Sequence, residues 1–422
     1  MIIALITAMA FLGAPLFAAF GCLALQAYSS VELDASVIVS ELSRLATMPL
    51  LQTLPMFALA GYILAHSKAS ERLVRVSRAL FGWMPGGLAI VSLVACTLFT
   101  AFTGATGVTI VALGGLLLPA LLSEGYKERF ALGLVTNGGN VGVLFVPSLP
   151  LILYGVIANP IAREVTIDKL FLAGILPGVL SVGTLAVFSA IYGLGARVPR
   201  TKFSVREVLA ALWAARWEVP LPFVVIGGIY AGKLVVSEAA VITAAYAIIV
   251  EVFLYREIRI RDLGRIVKES MVLVGGILII LGMGMALTNY LIDADVPMKI
   301  LQFTQAHVNS RVVFLIVLNL LLLVVGCVMD IYTAIIVVVP LILPMAMEFG
   351  VNPIHLGIIF LANMAIGYCT PPVGVNLFVA SIRFNKPIVN LYKASAAFLV
   401  IQLVTLLLIT YLPIISLWLA GP

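Results

Sequence analysis

The sequence predicts an all-α polytopic membrane protein built as an inverted repeat, each half carrying a re-entrant helical hairpin followed by a broken helix. Three observations predict it. The 422 residues are 63% hydrophobic and only 10% charged, with a mean hydropathy of +1.18, whereas a soluble domain is about half apolar and about a quarter charged. Two apolar stretches, 86–122 and 311–348, are too long for one span and have polar centres. The apolar run after each of them carries a cluster of glycine and proline.

A span needs about 20 apolar residues. Runs near 2–28, 49–65, 129–158, 170–194, 218–234, 237–254, 271–292, 354–380 and 394–418 are therefore expected to be helices. The first is apolar from Met1, with no basic leader and no small-residue cleavage site before a polar domain, and reads as a retained helix rather than a secretory signal. Cys22, Cys96, Cys327 and Cys369 all lie in apolar runs without a CxxC pair, so they are expected to be small buried hydrophobes rather than zinc ligands or disulfides.

The stretch 86–122 is interrupted by Thr103-Gly104-Ala105-Thr106-Gly107, and 311–348 by a centre around Gly326, Asp330, Tyr332 and Thr333. Each is either two full spans joined by a tight turn or one hairpin that enters and leaves on the same side, and both give the same loop parity. Full spans need a tip that reaches water. The 103–107 tip has no charged residue and its arms, about 17 residues each, are at the lower limit for crossing. Hairpins that stop at mid-membrane, where irregular backbone is tolerated beside a cavity, are the favoured reading.

After the first hairpin comes Asn137-Gly138-Gly139-Asn140-Val141-Gly142, then Pro147-Ser148-Leu149-Pro150; after the second come Asn363, Gly367 and Thr370-Pro371-Pro372-Val373-Gly374-Val375-Asn376. Proline removes a backbone donor and clashes one turn back, so both helices are expected to break inside the bilayer and free carbonyl oxygens.

Charge placement supplies the orientation. The loops 66–79, 123–129, 195–217, 255–268 and 381–393 hold 19 of the Lys and Arg residues; the alternate set holds 6, namely Arg44, Arg163, Lys169, Lys233, Lys299 and Arg311. The positive-inside rule makes the first set cytoplasmic, with the N-terminus inside and the C-terminus outside. The two hairpins then open on opposite sides, as an inverted-topology repeat requires. The segment 195–217, with Arg197, Arg200, Lys202, Arg206 and Arg216 interleaved with Trp213 and Trp217, reads as an amphipathic arm on the membrane surface rather than a nucleic-acid site.

A small cation such as Na⁺ is held by several neutral or anionic oxygens, which unwound backbone supplies. On that logic one site pairs the tip residues Thr103, Thr106 and Gly107 with the break from Asn140 through Gly142 to Pro147. A second pairs Gly326, Asp330 and Thr333 with Gly367, Thr370 and Pro371. The competing reading is that these small residues only allow close helix packing. Asp330, an acid at the centre of an apolar stretch, either binds the cation or orients the tip. Glu238, after Ser237, is expected to cap a helix start, and Glu251, close to a basic loop, is expected at the surface. His66, His307 and His355 form no metal-ligand spacing, and no nucleophile elbow or paired-carboxylate motif suggests an enzyme.

At these motifs the sequence resembles the large membrane (M) subunit of tripartite ATP-independent periplasmic (TRAP) transporters, over nearly the whole chain. The residues that carry the resemblance are Thr103-Gly-Ala-Thr-Gly107, Val146-Pro-Ser-Leu-Pro-Leu-Ile-Leu-Tyr-Gly155, Gly227-Gly-Ile-Tyr-Ala-Gly232 with Glu238-Ala-Ala, Pro340 with Pro344, and Gly367-Tyr-Cys-Thr-Pro-Pro-Val-Gly-Val-Asn-Leu-Phe378. The resemblance implies an elevator-type fold and sodium-coupled import of an organic acid across a bacterial inner membrane. It also implies two partners, a periplasmic substrate-binding protein (P-type) and a small four-helix membrane subunit (Q-type), the latter encoded separately. It carries the sodium sites to Thr103, Thr106 and the Gly142 region, and to Gly326, Gly367 and Thr370. Three departures stand out. The tip is Thr-Gly-Ala-Thr-Gly where the family often has serines, Val235-Val236-Ser237 replaces Thr-Pro-Thr, and Asn137 and Asn140 replace smaller residues. With Asn376, these two amides are the expected substrate contacts. The expected division is 1–85, 161–310 and 381–422 as scaffold, with 86–160 and 311–380 as the transport body. A channel or passive facilitator with a fixed hairpin filter is the alternative.

Overall fold

The computed structural model describes residues 16–30, 36, 39–40, 42–43, 51, 53–196, 203–231, 233–294, 299, 302, 308 and 310–421. The first half of the helix expected over 2–28, together with Arg44, Arg197, Arg200, Lys202, Gly232 and His307, lies outside them. Among the described residues every regular element is helical, and seven helices are long and apolar enough to cross a membrane, or eight if one bent pair counts as a span.

Two helices open the described chain, α1 (Leu16–Ser30) and α2 (Thr53–Ala65). The basic segment expected as a loop over 66–79 is instead an amphipathic helix, α3 (Ala69–Phe81), whose Leu73, Val74 and Val76 are buried while its charges stay outward. The stretch 86–122 resolves into α4 (Gly87–Thr103) and α5 (Thr106–Ser123), packed against each other. Next come α6 (Glu128–Asn137), a 3-10 turn (Asn140–Leu144) and α7 (Leu149–Ala158), a pair bent by 42° at the expected break. A long helix, α8 (Ile167–Ala196), leads to the short surface helix α9 (Val205–Ala214).

The run expected over 218–234 is a shorter helix, α10 (Pro220–Tyr230). It is followed by α11 (Val236–Ile248), which is extended by a π-helical turn (Ile249–Leu254), and then by α12 (Ile260–Asp293). Glu238 caps α11 as expected, its Oε2 accepting the Val235 N–H at 3.0 Å.

The second long stretch becomes α13 (Arg311–Val328) and α14 (Ile331–Glu348), capped by Ser310 and Asp330 respectively. The second broken helix is α15 (Pro353–Gly367) and α16 (Val375–Phe384), separated by the Thr370–Gly374 turn. Two helices close the chain, α17 (Ile388–Tyr411) and α18 (Ile414–Leu417). Of the four free cysteines, Cys96, Cys327 and Cys369 are buried, whereas Cys22 is exposed on α1, contrary to expectation. That face of α1 also exposes Phe17 and Leu25, so it is an apolar outer surface rather than core.

The two halves pack in the same pattern. The first arm of each helix pair lies on its own broken helix, α4 on the 3-10 turn and α13 on α15. The second arm crosses to the other half, α5 onto α16 and α14 onto α7. This exchange brings both tips and both breaks to one centre. Three of the four arms satisfy length and composition for crossing a membrane, so arm length does not separate hairpin from span.

One buried charge cluster lies away from this centre. Arg72 of α3 donates through Nε to Glu218, through Nη1 to Glu257 at 2.5 Å and through Nη2 to Glu251 at 3.2 Å, with its guanidinium 4.0 Å from the centroid of the Tyr255 ring. Glu251 is 0% exposed. The expectation that it lies at the surface fails because the π-helical turn swings it inward onto Arg72.

Candidate functional site

The first tip is set by Gly104, which ends α4 with φ +67° and donates its N–H to Thr100 O. A side chain there would occupy the unfavourable left-handed region and meet Leu149 at 3.0 Å. The second tip is set by Asp330. Its Oδ1 accepts the Tyr332 and Thr333 N–H groups at 3.0 Å each, and its Oδ2 accepts the Thr333 hydroxyl. The geometry therefore gives Asp330 the orienting role at the start of α14.

The tips are tied together by tyrosines. Tyr332 donates its hydroxyl to Gly104 O at 3.1 Å, and the Ile331 N–H donates to the Tyr368 hydroxyl at 2.5 Å. A neutral hydrogen-bond chain then joins one tip to both breaks. Thr106 Oγ1 donates to Asn376 Oδ1 at 2.9 Å, Asn376 Nδ2 to Asn140 Oδ1 at 2.6 Å, and Asn140 Nδ2 to Cys369 Sγ at 3.1 Å. All four residues are buried. In such surroundings an amide left without a partner is costly, so each link constrains the next.

The remaining expected residues fall into two groups. Thr103 and Thr370 give their hydroxyl protons to Phe99 O and Ile366 O, both at 3.0 Å, so each keeps oxygen lone pairs as acceptors. Gly142, Gly326 and Gly367 serve close packing. A Cβ on Gly367 would sit 2.6 Å from Gly326 Cα, and one on Gly142 would sit 2.5 Å from Thr100 Cβ. Pro147 lies in the first break, whose Ser148 caps α7. Both breaks contain a cis prolyl bond, Val146–Pro147 and Pro371–Pro372. Of the three amides expected to meet substrate, Asn140 and Asn376 come together at the centre. Asn137 does not; it donates to Gly133 O at 2.8 Å and to Ser395 at 3.0 Å, facing α17.

Sequence reasoning missed the tying roles of Tyr332, Tyr368 and Cys369, although all three lie within the stretches it singled out. Among the described residues no group of three or more His, Cys, Asp or Glu side chains comes together as a metal site. The oxygens gathered here are those of hydroxyls, amides and backbone, with Asp330 as the lone carboxylate in the expected set.

A multi-pass helical membrane protein whose two halves each bring a tip and a proline break to one polar centre has the architecture of an internally repeated membrane transporter. The fold is similar to that in the crystal structure of the Alcanivorax borkumensis YdaH transporter, with a TM-score of 0.63 at 16% identity, covering 92% of this chain and 89% of that one. Residues 1–415 match the family described as the tripartite ATP-independent periplasmic transporter, DctM component. The chain belongs to that family. It is 34% identical over 368 residues to the C4-dicarboxylate TRAP transporter large permease protein DctM of Pseudomonas aeruginosa, covering 87% of this chain and 85% of the relative. It is 33% identical to the isethionate TRAP transporter permease protein DctMQ of Oleidesulfovibrio alaskensis; that match covers 88% of this chain but spans only 58% of the relative's length. The ectoine TRAP transporter large permease protein TeaC of Halomonas elongata is 31% identical over 366 residues.

Proposed function

We propose that this chain is the membrane-embedded translocator of a sodium-coupled importer for an organic acid, moving its substrate by an elevator displacement of the 86–160 and 311–380 segments against a scaffold of 1–85, 161–310 and 381–422. The observation that carries the reading is the Thr106–Asn376–Asn140–Cys369 chain, which makes two sequence-distant breaks and one tip a single unit. A unit joined this way moves as one body. The two helix pairs are read as re-entrant hairpins opening on opposite sides, with the basic loops cytoplasmic, the N-terminus inside and the C-terminus outside.

The donor set fits Na⁺. Thr103 and Thr370 present hydroxyl lone pairs beside the tip and break carbonyls, and a hard monovalent cation takes such oxygens without a buried carboxylate cluster. One ion would be held around Thr103, Thr106, Gly142 and Pro147, the other around Gly326, Asp330, Thr333, Gly367 and Thr370. Bound Na⁺ would supply positive charge at the centre, where the Asn140 and Asn376 amides orient a carboxylate. Relatives named for C4-dicarboxylate, isethionate and ectoine support a small organic acid or zwitterion as cargo. The DctMQ relative supports a small Q-type membrane subunit as partner, and family membership supports a periplasmic P-type binding protein as donor. None of this requires an enzyme.

The test is uptake into proteoliposomes holding both membrane subunits, with the loaded binding protein outside. Uptake should need an inward Na⁺ gradient and be abolished by Thr103→Leu or Thr370→Leu. Uptake that is indifferent to Na⁺ would remove the coupling, and unitary currents in planar bilayers would replace the transporter with a channel.

A further inference from the structure

Helix α17 carries buried polar residues along one side: Ser395, Gln402, Thr405 and Thr410. Ser395 to Thr410 spans about 22 Å of helix, most of the roughly 30 Å apolar thickness of a bilayer. Each residue faces a different partner segment. Ser395 accepts from Asn137, Thr405 shares a hydrogen bond with Thr184 at 2.9 Å, and Thr410 accepts from Asn319 at 3.2 Å. Asn319 in turn accepts from Asn363 at 2.7 Å. Along this seam three buried amide oxygens, Asn137 Oδ1, Gln402 Oε1 and Asn363 Oδ1, have no protein donor.

One of the three opens onto a defined space. Gln402, 4% exposed, lines a cavity of about 20 Å³ together with Asn140, Ser181, Ile366 and Leu406. A water needs roughly 10–15 Å³ and two to four polar partners. Three polar partners are present. Gln402 Oε1 needs a donor. Ser181 Oγ has given its proton to Pro177 O at 2.8 Å and can still accept. Asn140 Nδ2 has two hydrogens and spends one on Cys369 Sγ.

We propose that this cavity is a binding site for one ordered water, which donates to Gln402 Oε1 and Ser181 Oγ and accepts the second hydrogen of Asn140 Nδ2. Gln402 is then a positioning residue. Acting through the water, it fixes which way the Asn140 amide faces, and so the polarity of the Asn140–Asn376–Thr106 chain. A flipped Asn140 would turn its NH₂ toward Asn376 Nδ2, donor against donor, and break the chain. Neither the sequence motifs nor the substrate reading assigns a role to Gln402; its effect on transport rests on the function proposed above, whereas the water itself does not.

Two measurements test it. In a cryo-electron microscopy map of the wild-type complex in nanodiscs, at a resolution that shows internal waters, a peak should lie within hydrogen-bond distance of Gln402 Oε1, Ser181 Oγ and Asn140 Nδ2. Ordered side chains without that peak would overturn the site. In proteoliposomes Gln402→Met, which keeps the volume and removes the acceptor, should raise the half-saturating substrate concentration about fivefold, one hydrogen bond's worth, with little change in maximal rate. Gln402→Glu, which retains an acceptor oxygen, should largely restore it. Unchanged half-saturation in Gln402→Met, or an equal loss in both variants, would overturn the positioning role. If the wild-type protein moves no solute, the transport reading fails and the map alone decides the water.

Discussion

Replacing Arg72 with methionine is the sharpest test of how the elbow formed by α3, Glu218, Glu251 and Glu257 is held. The substitution keeps most of the side-chain volume and removes the one cation that faces three carboxylates. Glu218 and Glu251 are 1% and 0% exposed, and Glu257 is 17% exposed. Removing one partner of a buried ion pair costs about 3–5 kcal/mol, because the other charge stays buried and uncompensated. Here two fully buried carboxylates lose their partner at once, so the upper end of that range is expected, with the lost stacking on Tyr255 adding to it. Arg72→Lys should recover only part of the loss, since an ammonium presents its donors from one nitrogen and lacks the planar fork that reaches Glu218, Glu257 and Glu251 from three.

The assay is equilibrium unfolding of the purified protein in mixed micelles, followed by tryptophan fluorescence, since Trp217 directly precedes Glu218 in the chain. A double-mutant cycle with Glu251→Gln isolates the pair: neutralising Glu251 in the Arg72→Met background should recover part of the loss, so that the two substitutions are non-additive. An Arg72→Met protein within about 1 kcal/mol of wild type, a value typical of exposed pairs, would refute the cluster as a buried anchor.

Other outcomes follow from single contacts. Gly104→Ala forces an L side chain to φ +67° and against Leu149, costing about 1–2 kcal/mol, read by the same unfolding assay. Gly367→Ala places a Cβ 2.6 Å from backbone atoms of Gly326 that cannot yield, so it should abolish uptake while Gly183→Ala, which meets nothing within 4 Å, should leave uptake unchanged. Thr106→Val removes the donor to Asn376 and should lower stability by about 1–3 kcal/mol, the cost of an unsatisfied buried amide oxygen. Burial holds the Glu218 carboxyl above its ordinary range of 4.5, with Arg72 opposing that effect. A raised carboxyl favours the proton-bound folded form, so its contribution to stability is complete below pH 4.5 and is lost as pH rises through the folded value. Glu218→Gln should flatten that part of the pH–stability curve.

Breaks, tips and membrane residence were legible in the sequence because each is a local signal. A proline cluster inside an apolar run interrupts a helix wherever the run lies, and both interruptions appear at the residues that carry those clusters, 140–148 and 368–374. Glu238 was legible as a helix cap for the same reason, since a cap involves residues two or three apart, whereas for Asp330 the sequence left cation binding and tip orientation open. Pairing was not legible. Asn140 meets Asn376 across 236 positions and Tyr332 meets Gly104 across 228, and no periodicity reports which polar residue of one run faces which residue of another. The same gap explains Glu251. Its place near a basic loop suggested the surface, but a single π-helical turn rotates it onto Arg72, a residue 179 positions away.

The placement of charge ties these findings together. Among the described residues the most deeply buried ion pairs lie at the Arg72 elbow, whereas the centre where tips and breaks meet is joined by neutral groups, Thr106, Asn376, Asn140, Cys369 and the two tyrosines. A buried ion pair is hard to break and suits a joint that must keep its geometry. Neutral hydrogen bonds, each contributing about 1 kcal/mol net, can be exchanged for bonds to a cation, a carboxylate or a water within a few kcal/mol. On the proposed function, with solute bound and released at the centre of a rigid frame, this division puts the strong electrostatics at the frame and the weak, replaceable bonds at the site.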